Sequence, residues 1–161
     1  MNTVRRIQAG DAEIYQRLRL AALKDSPEAF STTYESALAR TAASWSAQVE
    51  EAAQGEDRMI LLAFRDHEAV GMAALYRDKD HPQNGEILQM WIALPYRRQG
   101  LGKQLLDTIV DWARGRRFEE LKAQITDLNQ RAIPFYESYG FKHSPVLHSS
   151  SQHQVTLGLA I

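Results

Sequence analysis

The chain has 161 residues, 44% of them apolar and 24% charged, with a formal net charge of −1. That suffices for one packed domain and gives no surplus of positive charge for a nucleic-acid or membrane-surface partner. Cysteine is absent, which excludes disulfides, a cysteine nucleophile and thiolate metal sites and suits a reducing cytoplasm. The first residues lack the apolar run of a signal peptide, and the longest interior apolar run, 59–64, is far too short for a membrane span. The expectation is a soluble, cytoplasmic domain spanning residues 1–161.

In chain order, Ile14, Leu18 and Leu23 at helical spacing predict a helix over 11–24, with Asp11 as its N-cap. Pro27 discourages its continuation, and a weaker helical stretch follows over 42–53. Segments 58–64 and 69–76 read as a strand hairpin around Asp66-His67-Glu68, and 85–94 as a third strand stopped by Pro95. Leu101, Leu105, Leu106, Ile109, Val110 and Ala113 mark one face of a helix ending near Gly115. Then come a short strand over 121–125, a helix over 129–139 distorted by Pro134, and strands over 141–147 and 154–159. This order predicts an α/β (α+β) fold: a mixed, largely antiparallel central sheet of about six to seven strands flanked by about four helices.

The most informative segment runs from Glu86 to Lys103. A strand, a glycine turn and a helix start place unpaired backbone N–H groups and partial positive charge together, which suits phosphate oxygens. Gly100 and Gly102 remove side chains where backbone must approach an anion, and Arg97, Arg98 and Lys103 add positive charge at the rim. The same residues also suit a plain glycine-rich turn beside a solvated basic edge. A P-loop is excluded, because Arg97 stands where its first glycine belongs and Gln104 where its Ser or Thr belongs. A dinucleotide fingerprint is excluded by Leu105 at its third small position.

Arg97-Arg98-Gln99-Gly100-Leu101-Gly102 resembles the Arg/Gln-x-x-Gly-x-Gly/Ala signature of the GNAT superfamily of N-acyltransferases. Downstream, Asn129-Gln130-Arg131-Ala132-Ile133-Pro134-Phe135-Tyr136-Glu137-Ser138-Tyr139-Gly140-Phe141 resembles that family's second signature, at the usual separation from the first. The resemblance implies an N-acetyltransferase that uses acetyl-CoA, with a small-molecule or peptide amine as acceptor. It makes 97–103 the pyrophosphate cradle, with Leu101 inside it. Asn129 is implied as a partner of the pantetheine arm, although an N-cap would explain it equally well. Met90, Trp91 and Ile92 fall in the strand that bulges in this family and pairs with pantetheine through its backbone, where an N–H can serve as oxyanion donor.

The chemistry needs a base, because an alkyl ammonium has a pKa of about 10.4, and benefits from an acid at the departing thiolate. The resemblance points to Tyr136 as that acid, with Tyr139 nearby as a rival; a packed core ring is the other explanation of Tyr136. For the base, Glu86 lies where some family members carry a glutamate and others rely on ordered water; Asp127 and Glu137 are alternatives. The histidines show no metal-ligand spacing, so no metal is expected. The family's acceptor pocket corresponds here to Phe30, Tyr34, Trp45 and Tyr76, with Trp91 on its edge and Glu28 and Glu35 as carboxylates. Aromatic rings beside carboxylates suit a cationic acceptor. Two rivals share the fold: a non-catalytic acyl-CoA sensor, and a transferase for longer acyl groups. Pairing of C-terminal edge strands would make a homodimer.

Overall fold

The structure is a computed structural model that describes residues 1–143 and 154–161, apart from the side chains of Asp127 and Leu128. Its elements are β1 (Asn2–Arg6), α1 (Ala12–Asp25), α2 (Tyr34–Leu38), α3 (Ala42–Gln54), β2 (Arg58–Arg65), β3 (Glu68–Arg77), β4 (Asn84–Ile92), α4 (Leu101–Arg114), β5 (Glu120–Thr126), α5 (Ile133–Tyr139), β6 (Lys142–His143) and β7 (Gln154–Ala160). The strands form one seven-stranded sheet in the order β1-β2-β3-β4-β5-β7-β6. Every neighbouring pair is antiparallel except β4 and β5.

Each face of the sheet carries its own core. Met59, Leu61 and Ala63 of β2 pack towards α4, whereas Ile60 and Leu62 pack towards α1 and α3. Burial on both faces is why 59–64 reads as an unbroken apolar run rather than an alternating one. On α4 the six residues of the predicted stripe are all buried, each large one contributing about 1.5–3 kcal/mol. On α3, Trp45, Val49 and Ala52 are buried, and the Thr41 hydroxyl accepts from the Ser44 N–H at 3.1 Å to cap the helix.

Two elements appear that the sequence did not announce, and two sequence expectations change. β1 and α2 have no apolar periodicity to announce them: β1 is held by its pairing with β2, and α2 by the Thr33 cap and by Ala37 in the core. Asp11 makes no side-chain cap; its carboxylate takes both the Arg5 guanidinium and the Gln8 N–H. Pro134 does not distort a helix. Residues 127–132 form a separate 3-10 turn, and Pro134 sits in the first turn of α5, where its missing N–H costs nothing. Of the strand expected over 141–147, β6 is seen, and the remainder lies outside the described residues, as do His148 and His153.

β4 positions the site. It pairs with β5 only from Asn84↔Glu120 to Ile87↔Ala123; beyond Ile87 the two strands part, although β5 continues to Thr126. On its other side the register with β3 slips between Met72 and Ala74, so that β4 holds one residue more than its partner. Gln89 sits in this bulge with φ 60°. The extra residue keeps Trp91 opposite Met72 and buried on the α1 face, while Met90 packs towards α4.

Candidate active site

The fork between β4 and β5 opens into two cavities. The first, of about 510 Å³, is lined by Gly100, Gly102, Arg98, Asn129, Phe135 and Met90, among others. The second, of about 950 Å³, is lined by Glu86, Gln89, Met90, Tyr136, Phe30 and Arg19, among others. Ala29 and Met90 belong to both walls, so the cavities meet at the bulge.

The first cavity is a backbone cradle. The Arg97 N–H bonds the Leu94 carbonyl and the Gln104 N–H bonds the Gly100 carbonyl; between them, the N–H groups of 98–103 have no acceptor among the described residues. Arg98 has φ 63° and Gly100 φ 88°, so the turn points successive N–H groups outward as a nest. A Cβ on Gly100 would meet nothing within 4 Å, which leaves the cradle open to a bulky anion. Gly102 has a different reason. A Cβ there would lie 2.8 Å from the Phe135 ring, so this glycine admits α5 rather than a ligand alone.

The side chains of the turn divide their work. Arg97 donates to the Ile92 carbonyl at 2.7 Å and to Asp25 at 2.8 Å, fastening the turn to β4 and α1. Asp25 also accepts from Ser26 and from the Trp91 indole, and these bonds, that of Ser26 foremost, hold its carboxyl below the usual range. Arg98 is exposed, and Lys103 pairs with half-buried Asp107 at 3.0 Å. Gln99 does not line the cavity: its side chain turns to Arg65 and the Pro95 carbonyl. Asn129 does line it, and with φ −121° inside the 3-10 turn it caps no helix.

In the second cavity Glu86 and Tyr136 are brought together from distant parts of the chain. Burial pushes the Glu86 carboxyl above the usual carboxylate range; Lys122, 3.9 Å away, opposes this and Asp78 adds to it. Tyr136 is 6% exposed, held edge-on between Phe135 and Phe141, and burial pushes its phenol well above the ordinary value. Tyr139 is removed as a rival, since its hydroxyl donates to Asp107 at 2.7 Å on the α4 side. Glu137 is exposed, and the Asp127 side chain is not among those described.

A family model described as Acetyltransferase (GNAT) family matches residues 17–141. The chain belongs to the GNAT acetyltransferase family. Among curated relatives, the probable N-acetyltransferase camello of Xenopus laevis is 31% identical over 81 residues, covering 50% of this chain and 37% of the relative. N-acetyltransferase family 8 member 3 of Mus musculus is 30% identical over 78 residues, 47% of this chain and 34% of the relative. The chain thus spans little more than a third of the length of these curated relatives. Among solved structures, a GNAT acetyltransferase from Streptococcus pneumoniae superposes with TM-score 0.80 at 19% identity over 100% of both chains. The PaiA N-acetyltransferase from Thermoplasma acidophilum, in complex with coenzyme A, does so with TM-score 0.80 at 17% identity over 100% of this chain and 99% of that one. At such identities the likeness is one of fold. Family and fold agree on a GNAT acetyltransferase domain.

Within this GNAT domain the expected acceptor residues scatter. Phe30 lines the second cavity; Tyr34 and Tyr76 do not. Tyr76 packs beneath the Arg58 guanidinium at 4.7 Å and takes a hydrogen bond from Gln48. Trp45 is core, and Glu35 is exposed. Trp91 borders the cradle with its indole tied to Asp25. No group of His, Cys, Asp and Glu among the described residues has metal-binding geometry, and no described helix is long and apolar enough to cross a membrane. Sequence reasoning missed Asp25, Gln89 and Arg19. Asp25 carried a signal in its place before Ser26-Pro27; Gln89 and Arg19 carried none.

Proposed function

We propose that the chain transfers the acetyl group of acetyl-CoA to a primary amine of a small molecule or peptide, by direct attack of the amine on the thioester. The observation that supports this most is the junction of a backbone anion cradle with a polar cavity at Met90, in the fork of β4 and β5. Acetyl-CoA supplies the activated carbonyl and a thiol of pKa about 8.5 as leaving group.

The residues then take these parts. The N–H groups of 98–103 hold the pyrophosphate, helped by Arg98 and Lys103. Arg97 acts through Asp25 and the Ile92 carbonyl to fix the turn. The β4 backbone at Met90 and Trp91, freed from β5, pairs with the pantetheine arm and offers an N–H to the developing oxyanion. Asn129 contacts the same arm. Glu86, its carboxyl raised towards neutrality, accepts the ammonium proton directly or through water. Tyr136 remains protonated at neutral pH and gives its proton to the departing sulfur.

Calorimetric titration of the purified protein with acetyl-CoA, against ATP and NAD as controls, tests this first. Selective binding followed by amine-dependent thiol release is the expected result. Folded protein that binds no acetyl-CoA overturns the reading.

A further inference from the structure

Three charged side chains line the second cavity: Arg19, Glu28 and Glu86. Each carboxylate has a cationic partner, Glu28 with Arg131 at 3.4 Å and Glu86 with Lys122 at 3.9 Å. Arg19 has no anionic one. It projects from α1 and is only 8% exposed, and its guanidinium makes no hydrogen bond or ion pair among the described residues; Nη1 is fully buried without an acceptor. The guanidinium carbon lies 4.8 Å from the centroid of Phe30, whose ring borders the same cavity.

The neighbouring polar groups do not relieve it. Gln48 donates to both the Tyr15 and the Tyr76 hydroxyls, Tyr15 donates onward to Gln89, and the Gln48 Oε1 is itself buried without a partner, so none of these groups bonds the guanidinium. Burial pushes the Arg19 pKa below the ordinary arginine value, yet a guanidinium keeps its proton. A buried, unpaired charge is among the most costly features a fold can retain. Phe30 covers one face of the guanidinium, and its Nε and Nη2, unlike Nη1, are not fully buried, so that edge can meet a carboxylate in two parallel hydrogen bonds.

We infer that the acceptor is a small amine that carries a carboxylate on the same molecule, of the amino-acid type, with its carboxylate paired to Arg19 while its amine faces Glu86 and the junction at Met90. This rests on reading the second cavity as the acceptor site. It replaces the cationic, polyamine-like acceptor expected from sequence, because the cavity's unmatched charge is positive. A lysine side chain or the terminus of a long polypeptide has no carboxylate close to its amine and fits poorly.

The test compares amino acids of varied chain length with their amides and their decarboxylated amines, on protein saturated with acetyl-CoA, following thiol release. Acids should be used with kcat/KM about 100-fold above the matching amides. Arg19→Met should erase that preference through KM, with acetyl-CoA affinity unchanged, and Arg19→Lys should restore part of it. Equal use of acids and amides by the unaltered protein overturns the inference, as does failure of every acid to be turned over or bound. The comparison on unaltered protein stands even if Arg19→Met does not fold. Loss of acetyl-CoA binding by the unaltered protein would instead strike the proposed function, so the two failures are separable.

Discussion

The two cavities that meet at Met90 are made of different material. The cradle is backbone: consecutive N–H groups of one short turn, shaped by Arg98 and Gly100 at positive φ and set on the start of α4. The second cavity is lined by side chains, with Arg19 from α1, Glu86 from β4 and Tyr136 from α5. A backbone site binds a common chemical group and tolerates variation around it. A side-chain site selects one substrate and changes with single substitutions. In the proposed function the constant part of the reaction falls to the first and its particular part to the second.

That contrast can be broken most forcefully at Gly100. The open space beside it admits a longer side chain, but φ 88° penalises any Cβ and a carboxylate would face the pyrophosphate. Gly100→Glu should weaken acetyl-CoA binding by at least about 100-fold in a calorimetric titration. Gly100→Ala separates the backbone cost from the charge, since it retains the first and lacks the second. Unchanged affinity in Gly100→Glu would mean that the cradle lies elsewhere.

Next in size is Tyr136→Phe. It should lower kcat by about 10- to 100-fold while leaving acetyl-CoA affinity intact, at the lower end of general-acid effects because a thiolate leaves readily. The Phe135 and Phe141 contacts survive this change, so the fold should be unaffected. Turnover equal to the unaltered protein would reduce Tyr136 to a core ring.

The smallest effect is expected at Glu86. Glu86→Gln should cost about 10-fold in kcat/KM near pH 7. The sign follows from its raised pKa: only the ionised carboxylate accepts a proton, so activity climbs as pH rises through that elevated value. The deficit of the variant should open above it and close again near pH 10, where the amine is already free, given an amine pKa of about 10.4. A pH profile parallel to that of the unaltered protein would assign the proton to water.

How much of this the sequence revealed follows the same division. Gly100, Asn129 and Tyr136 belong to local signatures whose spacing is set by a turn and a helix, so one-dimensional pattern suffices. Gly102 was legible as a required glycine but not for its full reason, since only the packed structure brings Phe135 against it. Gln99 lay inside the signature, yet its side chain turns out to Arg65 on a neighbouring strand. Arg97 was read as a phosphate cation, and pairing with Asp25 across many intervening residues changes its task.

The sequence by itself determined most of the sheet-forming segments, the amphipathic face of α4 and the glycine turn at its start. These depend on periodicity, glycine and the polarity of a helix start, all of them local. Only the tertiary structure decided where β4 leaves β5, where Gln89 inserts its extra residue, and that Arg19 lines the second cavity with no anionic partner among the described residues. Those are outcomes of register and of long-range packing, and they depend on partners that lie far away along the chain.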